Sequence, residues 1–221
     1  NKEYPGWKTT LKPLSKKSLI KISDLPNKLG KRSVKFEFKK GPNLNTDQKI
    51  AIKKLNSQEG FFPSVLYGIT GSGKTEIYLQ LIHKKLLEKK QVLFLVPEIG
   101  LTPQLLHHFQ NRLNLLPMLM HSGLTNHERL KSWKAAQEGT AGILLGTRSA
   151  VFSPIKDLGL IIVDEEHEST FKQFDPAPRY HGRDLALVLS NLHKAKVLLG
   201  SATPSVESYF NAKTQKYGLV E

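Results

Sequence analysis

Eight residues limit what this chain can fold into more than any others: Gly68-Ile69-Thr70-Gly71-Ser72-Gly73-Lys74-Thr75. Their spacing is G-x-x-x-x-G-K-[ST], and each residue type answers a physical need. The glycines let the backbone turn so that consecutive N–H groups face inward onto phosphate oxygens. A helix starting near Lys74 adds the positive end of its dipole. Lys74 brings a charge suited to β- and γ-phosphates, and the Thr75 hydroxyl suits Mg²⁺. The flanks agree: the apolar run Val65-Leu66-Tyr67 predicts a strand before the turn, and an amphipathic stretch follows it. Gly68, Thr70, Gly71, Ser72, Gly73, Lys74 and Thr75 are therefore candidate nucleotide-binding residues.

The pattern around this turn is regular from residue 44 onward. Thr46 is the expected N-cap of a helix over Asp47 to Gln58. Apolar runs predict strands at Ser64–Tyr67, Val92–Val96, Met118–His121, Gly142–Leu145, Leu158–Val163 and Lys196–Leu199. Helical periodicity covers roughly 75–90, 102–114, 126–138, 181–194 and 204–213. Strands that are apolar throughout and separated by helices predict a parallel sheet covered on both faces, in the α/β class. Ligands of such sheets bind beyond the carboxyl ends of the strands.

The 221-residue chain carries 33 Lys+Arg against 19 Asp+Glu, a net charge of +14. Such an excess favours a polyanionic partner, nucleic acid first and an anionic membrane surface second. Twelve of the basic residues and three of the acidic ones fall within residues 1–40. Residues 1–41 read as a small basic segment ahead of the domain at 42–221. Within it, Lys16 to Ile22 reads as a helix end running into a short strand, and Ser23 to Gly30 as a loop. Val34 to Phe38 alternates like an exposed strand. Its charge fits DNA contact and a solvated lysine-rich linker about equally well. No cysteine is present, which excludes a disulfide framework, a thiolate zinc site and a cysteine nucleophile within these residues. No apolar run reaches the ~18 residues of a membrane span. The chain starts at Asn1 without a signal-peptide pattern and is expected to be a piece of a longer protein.

Two further elements bear chemistry. Leu160-Ile161-Ile162-Val163 delivers Asp164-Glu165-Glu166-His167 at a strand end. Beside a phosphate-binding turn, the first carboxylate suits Mg²⁺ and the second can polarise an attacking water. Acidic residues after a strand also suit a helix N-terminus. His167 fits either a link to the γ-phosphate or a helix cap. The run Val197-Leu198-Leu199 delivers Gly200-Ser201-Ala202-Thr203-Pro204, whose hydroxyls suit either coupling to the site or an N-cap of the helix at 204–213.

A phosphate-binding turn, then D-E-x-H, then S-A-T, in that order, resembles the superfamily 2 nucleic-acid motors over residues 44–221. Pro97-Glu98-Ile99-Gly100-Leu101-Thr102-Pro103-Gln104, His121-Ser122-Gly123-Leu124, Gly146-Thr147-Arg148-Ser149-Ala150-Val151-Phe152 and Arg179-Tyr180-His181-Gly182-Arg183-Asp184 narrow the resemblance. Within that superfamily the chain resembles the bacterial primosomal replication-restart helicases, the PriA family. This implies the first of two RecA-like helicase lobes, with ATP and Mg²⁺ as cofactors. It also implies catalytic roles for Lys74, Asp164, Glu165 and His167, metal contacts from Thr75 and Asp164, and adenine reading by Gln48. Thr102, Gln104, Thr147, Arg148 and Ser149 match motifs that hold single-stranded DNA through its backbone, a task for hydroxyls, arginine and helix N-termini. Phe171, Phe174 and Tyr180 match an aromatic-rich loop, although Phe171 and Phe174 also suit core packing. Aromatic faces stack on bases at about 1–3 kcal/mol each. Ser201 and Thr203 match the coupling element.

For the whole protein the resemblance implies a cytoplasmic 3′→5′ helicase acting on single-stranded and forked DNA. Its implied partners are single-strand-binding protein and primosome loader proteins, with no membrane partner. Zinc is implied only for a part of the family outside these residues, as are a second lobe and its arginine finger. A fragment of this kind is expected to bind nucleotide without unwinding DNA. The alternatives are lobe 1 of another superfamily 2 translocase and a nucleotide-gated DNA-binding module without turnover. The D-E-E-H and S-A-T elements and the charge argue against a metabolic kinase.

Overall fold

The computed structural model describes residues 34–58, 60–100 and 102–221, all within the second of two units into which the chain divides, Lys31–Glu221. The readings of Lys16 to Ile22 and Ser23 to Gly30 lie outside the described residues. Seven strands form one sheet: β1 (Pro63–Tyr67), β2 (Gln91–Leu95), β3 (Met118–Met120), β4 (Ile143–Gly146), β5 (Leu158–Asp164), β6 (Lys196–Ser201) and β7 (Gly218–Val220). Six α-helices cover it: α1 (Thr46–Ser57), α2 (Lys74–Leu87), α3 (Pro103–Leu113), α4 (Asn126–Glu138), α5 (Gly182–His193) and α6 (Val206–Lys213). The strand order is β3-β4-β2-β5-β6-β1-β7, and every pairing is parallel.

Parallel pairing follows from the sequence. Each central strand is apolar on both faces, so it must be covered twice, and the helices between the strands supply the cover. Alternate residues then sort into two cores. Val92, Phe94, Leu160, Ile162 and Leu198 pack with Ala51, Leu55, Ile82 and Phe109 of α1–α3. Leu93, Leu95, Ile161, Val163, Val197 and Leu199 pack with Ala136, Ala186 and Ala212 of α4–α6. The rings of Tyr78, Phe94 and Phe109 meet edge to face at 5.6 Å and bind α2, β2 and α3 together.

Most predicted elements are present with ends shifted by up to three residues, and the departures have local causes. The N-cap of α1 is Asn45 rather than Thr46. Its side chain accepts from Gln48 N at 2.7 Å, and Gln48 Oε1 accepts from Asn45 N at 3.0 Å, a reciprocal capping box. α6 starts at Val206 behind Ser205 as its N-cap, so Ser201 and Thr203 do not cap it. The short edge strand β7 has no sequence counterpart in the reading above, because three residues carry too little periodicity.

Val34 to Phe38 is not a strand of the sheet. Glu37 N and Lys39 N donate to Leu113 O and Arg112 O, which satisfies carbonyls left open at the end of α3. Phe38 stacks on His83 at 4.0 Å, and the Arg112 guanidinium lies 4.5 Å over its ring. Arg112 also clasps Glu76, the residue after Thr75, with Nε and Nη2. The alternation read as a strand is thus an extended strap lying on α2 and α3. Among the described residues no helix is long and apolar enough to cross a membrane.

Phe94 is 1% exposed and touches two other rings. Phe94→Ala is expected to lower unfolding free energy by about 3–5 kcal/mol, read as a shifted midpoint in urea.

Candidate active site

The sheet order sorts the functional segments. β5, β6 and β1 are neighbours, so the phosphate-binding turn, Asp164 to His167 and Gly200 to Thr203 all emerge at one stretch of the carboxyl edge. β3, β4 and β2 are neighbours too, and bring His121-Ser122, Thr147 to Ser149, Pro97 to Gly100 and Thr102 to Gln104 to the adjoining stretch.

β1 ends in the turn. Gly71 and Gly73 have φ of +83° and +86°, a region that side chains rarely enter, and Gly73 is the N-cap of α2. A Cβ on Gly73 would overlap the Gln48 amide. Gln48 Nε2 donates to Ser72 O at 3.2 Å, so Gln48 joins the capping box of α1 to the turn. Lys74 Nζ donates to Gly68 O at 2.7 Å and Ile69 O at 3.4 Å, across the mouth of the loop. Thr75 is half-buried in the first turn of α2.

β5 carries Asp164 to its last position. Tyr78 Oη donates to Asp164 Oδ1 at 2.9 Å. Burial pushes the Asp164 carboxyl above the ordinary carboxylate range, while the Tyr78 bond and the Lys74 charge pull it back. Glu165 follows with φ +48°, strained for a non-glycine residue at about 1–3 kcal/mol. Both polar groups of the peptide unit that follows it are held: Glu166 N donates to Gly200 O, and Glu165 O accepts from Glu168 N.

Two carboxyl and hydroxyl ligands suit Mg²⁺, which keeps several waters and binds phosphates as well. Among the described residues no cluster of three or more His, Asp or Glu forms an all-protein metal cage. Asp164 at the end of β5 and Thr75 at the start of α2 offer donors of that kind, and the Lys74 charge reaches the Asp164 carboxyl, which fits a metal shared with a phosphate ligand.

Glu166 has no access to solvent. It accepts from Arg183 Nη1 at 3.0 Å, Ser205 N at 2.7 Å, Ser205 Oγ at 3.0 Å and Ser208 Oγ at 2.9 Å. Burial would lower the Arg183 guanidinium, but its bonds to Glu166 and Asp184 more than reverse that. Sequence reasoning gave Glu166, Arg183, Ser205 and Tyr78 no role. An i-to-j bond across 17 or 39 residues leaves no local trace.

His167 caps no helix. Its Nδ1 meets Ser201 Oγ at 2.7 Å, and the same oxygen accepts from Thr203 N at 2.9 Å. The D-E-E-H and S-A-T elements are therefore in direct contact. Ser201 is fully buried and Thr203 is exposed.

Two residues assigned to DNA contact are placed otherwise. Phe171 is 0% exposed, part of the core beneath α4–α6, and cannot stack on a base from there. Thr147 is 4% exposed, so its hydroxyl does not face an open groove. Arg148 is half-buried and donates from Nη1 to Thr170 O at 3.1 Å and Lys172 O at 3.0 Å. It braces the segment after the D-E-E-H element. That segment forms a small loop, with Gln173 N donating to Tyr180 O and Lys172 bridged to His181. Phe174 at its tip is 63% exposed with Lys172 Nζ 5.0 Å from its ring. Tyr180 is half-buried and meets Phe152 edge to face at 4.9 Å. Phe152, 52% exposed, extends this aromatic surface and was missed because it stands 28 residues earlier. Thr102, Gln104 and Ser149 are exposed, with Thr102 the N-cap of α3.

The DEAD/DEAH box helicase family matches residues 45–211. Among curated proteins, the replication restart protein PriA of Haemophilus influenzae is 51% identical over 174 residues, 79% of this chain and 24% of that protein. PriA of Chlamydia trachomatis is 42% identical over 214 residues, 95% of this chain and 28% of that protein. The chain spans about a quarter of the length of these relatives. RecG bound to a three-way DNA junction superimposes with a TM-score of 0.58 at 20% identity, over 81% of this chain and 24% of that one. The helicase MrfA bound to DNA and AMPPNP gives 0.57 at 17%, over 80% and 27%. At such identities the likeness carries the fold alone: a RecA-like helicase lobe.

Two outcomes are expected. Glu166→Ala leaves Arg183 buried without its main partner and should cost about 3–5 kcal/mol of stability in denaturant titration. Arg148→Ala should speed amide exchange at Lys172 and Gln173 by at least tenfold while β4 stays protected.

Proposed function

The chain belongs to the DEAD/DEAH box helicase family, and on that premise we propose that it is the ATP-binding lobe of a PriA-type replication-restart helicase. One observation carries the reading: His167 joins the D-E-E-H element to Ser201 beside the phosphate-binding turn, so an acid pair, a hydroxyl pair and a phosphate cradle act as one unit.

The turn from Gly68 to Gly73 cradles phosphates with its backbone N–H groups. Lys74 exchanges the carbonyls of Gly68 and Ile69 for phosphate oxygens, and Gln48, beside Ser72, reads the adenine. Thr75 and Asp164 hold Mg²⁺, which when bound neutralises charge on the transferring phosphoryl group. Glu165 orients and polarises water, and His167 relays the state of that site through Ser201 and Thr203. Thr102, Gln104 and Ser149 hold the DNA backbone, while Phe174 and Tyr180 stack on bases.

In the whole protein this lobe works with a second one, hydrolysing ATP to move 3′→5′ along a single strand at forked DNA in the cytoplasm. Single-strand-binding protein and primosome loader proteins are its partners there. The 221-residue chain alone binds nucleotide and hydrolyses it negligibly. The test is calorimetric titration of Mg·ADP, with and without a short single strand. The chain is expected to bind Mg·ADP, Lys74→Ala to abolish that binding, and single-strand affinity to stay within twofold. Equal loss of both would merge the two sites into one, and robust DNA-stimulated turnover by these residues would contradict the one-lobe reading.

A further inference from the structure

Tyr78 belongs to none of the three candidate segments, yet it stands on the helix that follows one and lies against the other two. It stands one turn beyond Lys74 on α2, the helix of the phosphate-binding turn, and is 1% exposed. A buried phenol hydroxyl requires a partner, and this one donates to Asp164 Oδ1 at 2.9 Å. Its ring is fixed edge-on to Phe94, which is in turn edge-on to Phe109, so the hydroxyl has one place to be.

The third segment makes room for it. Gly200 lies opposite Asp164 in the β5–β6 register. A Cβ at residue 200 would overlap the Tyr78 hydroxyl oxygen and stand 2.9 Å from the ring carbon that bears it. Gly200 is therefore glycine for want of space rather than for its backbone angle.

We propose that Tyr78 is a positioning residue: its hydroxyl fixes the orientation of the Asp164 carboxylate for the Mg²⁺ that accompanies nucleotide, and Gly200 provides the space it needs. The inference rests on the reading of Asp164 as a metal-holding carboxylate. A carboxylate at a strand end has several staggered rotamers available. Committing Oδ1 to a rigidly held donor selects one of them before the metal arrives. Partners of this kind typically change metal affinity by about 10–100-fold when removed.

Tyr78→Phe keeps the ring and its packing and removes only the hydroxyl. The probe is N-methylanthraniloyl-ADP, titrated by fluorescence into the 221-residue chain across a range of Mg²⁺ concentrations and in EDTA. Tyr78→Phe is expected to leave metal-free ADP affinity within twofold and to raise the Mg²⁺ midpoint by about tenfold. Gly200→Ala, whose Cβ displaces the hydroxyl, is expected to raise that midpoint comparably. The two substitutions together should cost less than the product of their separate effects. An unchanged Mg²⁺ midpoint in Tyr78→Phe, or fully multiplicative effects in the pair, would overturn the positioning role. Lys74→Ala tests the underlying reading separately. If it binds ADP as the parent does, or if the parent shows no Mg²⁺ dependence, the site assignment itself fails and the role of Tyr78 falls with it.

Discussion

A carboxylate cut off from water must be answered by the protein, because an unpaired buried charge costs far more than any one contact returns. Glu166 is such a group, and its four hydrogen bonds come from the start of α5 and from the first residues around α6. α5 begins directly after the aromatic loop and α6 directly after the S-A-T element. Satisfying one side chain therefore fixes where two helices, α5 and α6, stand relative to the end of β5. The strained backbone of Glu165, with its φ of +48°, sits immediately before this anchor.

The strand order does the remaining sorting. With β5, β6 and β1 together on one side and β3, β4 and β2 on the other, the carboxyl edge divides into a stretch of phosphate and acid chemistry and a stretch of exposed hydroxyl groups. Arg148 crosses that division. It starts at the end of β4 and holds the carbonyls of Thr170 and Lys172, on the segment that follows the D-E-E-H element. Tyr78 performs a comparable service inside the first stretch, between α2, β5 and β6. Both residues join elements that are distant in the chain.

Much of this was legible before any coordinates. Strands apolar on both faces and helices of regular period marked the α/β class, and the turn at Gly68 to Thr75 marked the first functional strand end. The helix over Asn126–Glu138 matches its expected bounds because it carries strong signals at both ends: the Thr125 capping box and Gly139 in a left-handed conformation. Where such signals were doubled, the reading slipped. Asn45 and Thr46 both suit an N-cap, and Phe36 with Phe38 alternates like a strand although its backbone donors go to the end of α3. Phe171 and Phe174 stand three residues apart and have opposite fates, one in the core and one in solvent. Their aromatic character is the same, and only the path of the backbone between them separates the two.

The sequence by itself determined which segments are candidates for chemistry, since glycine spacing, an acid pair after an apolar run and a hydroxyl pair are local patterns. It also determined the class of fold, because the two-sided apolar strands leave no other way to bury their faces. What the tertiary structure decided is every relation across distance. It set His167 on Ser201, Glu166 among Arg183, Ser205 and Ser208, and Arg148 on the loop carbonyls. The physical reason is that a hydrogen bond is a matter of ångströms and angles between groups that lie 17 to 42 residues apart in these cases. Only the stacking of strands in a definite order brings such groups within reach.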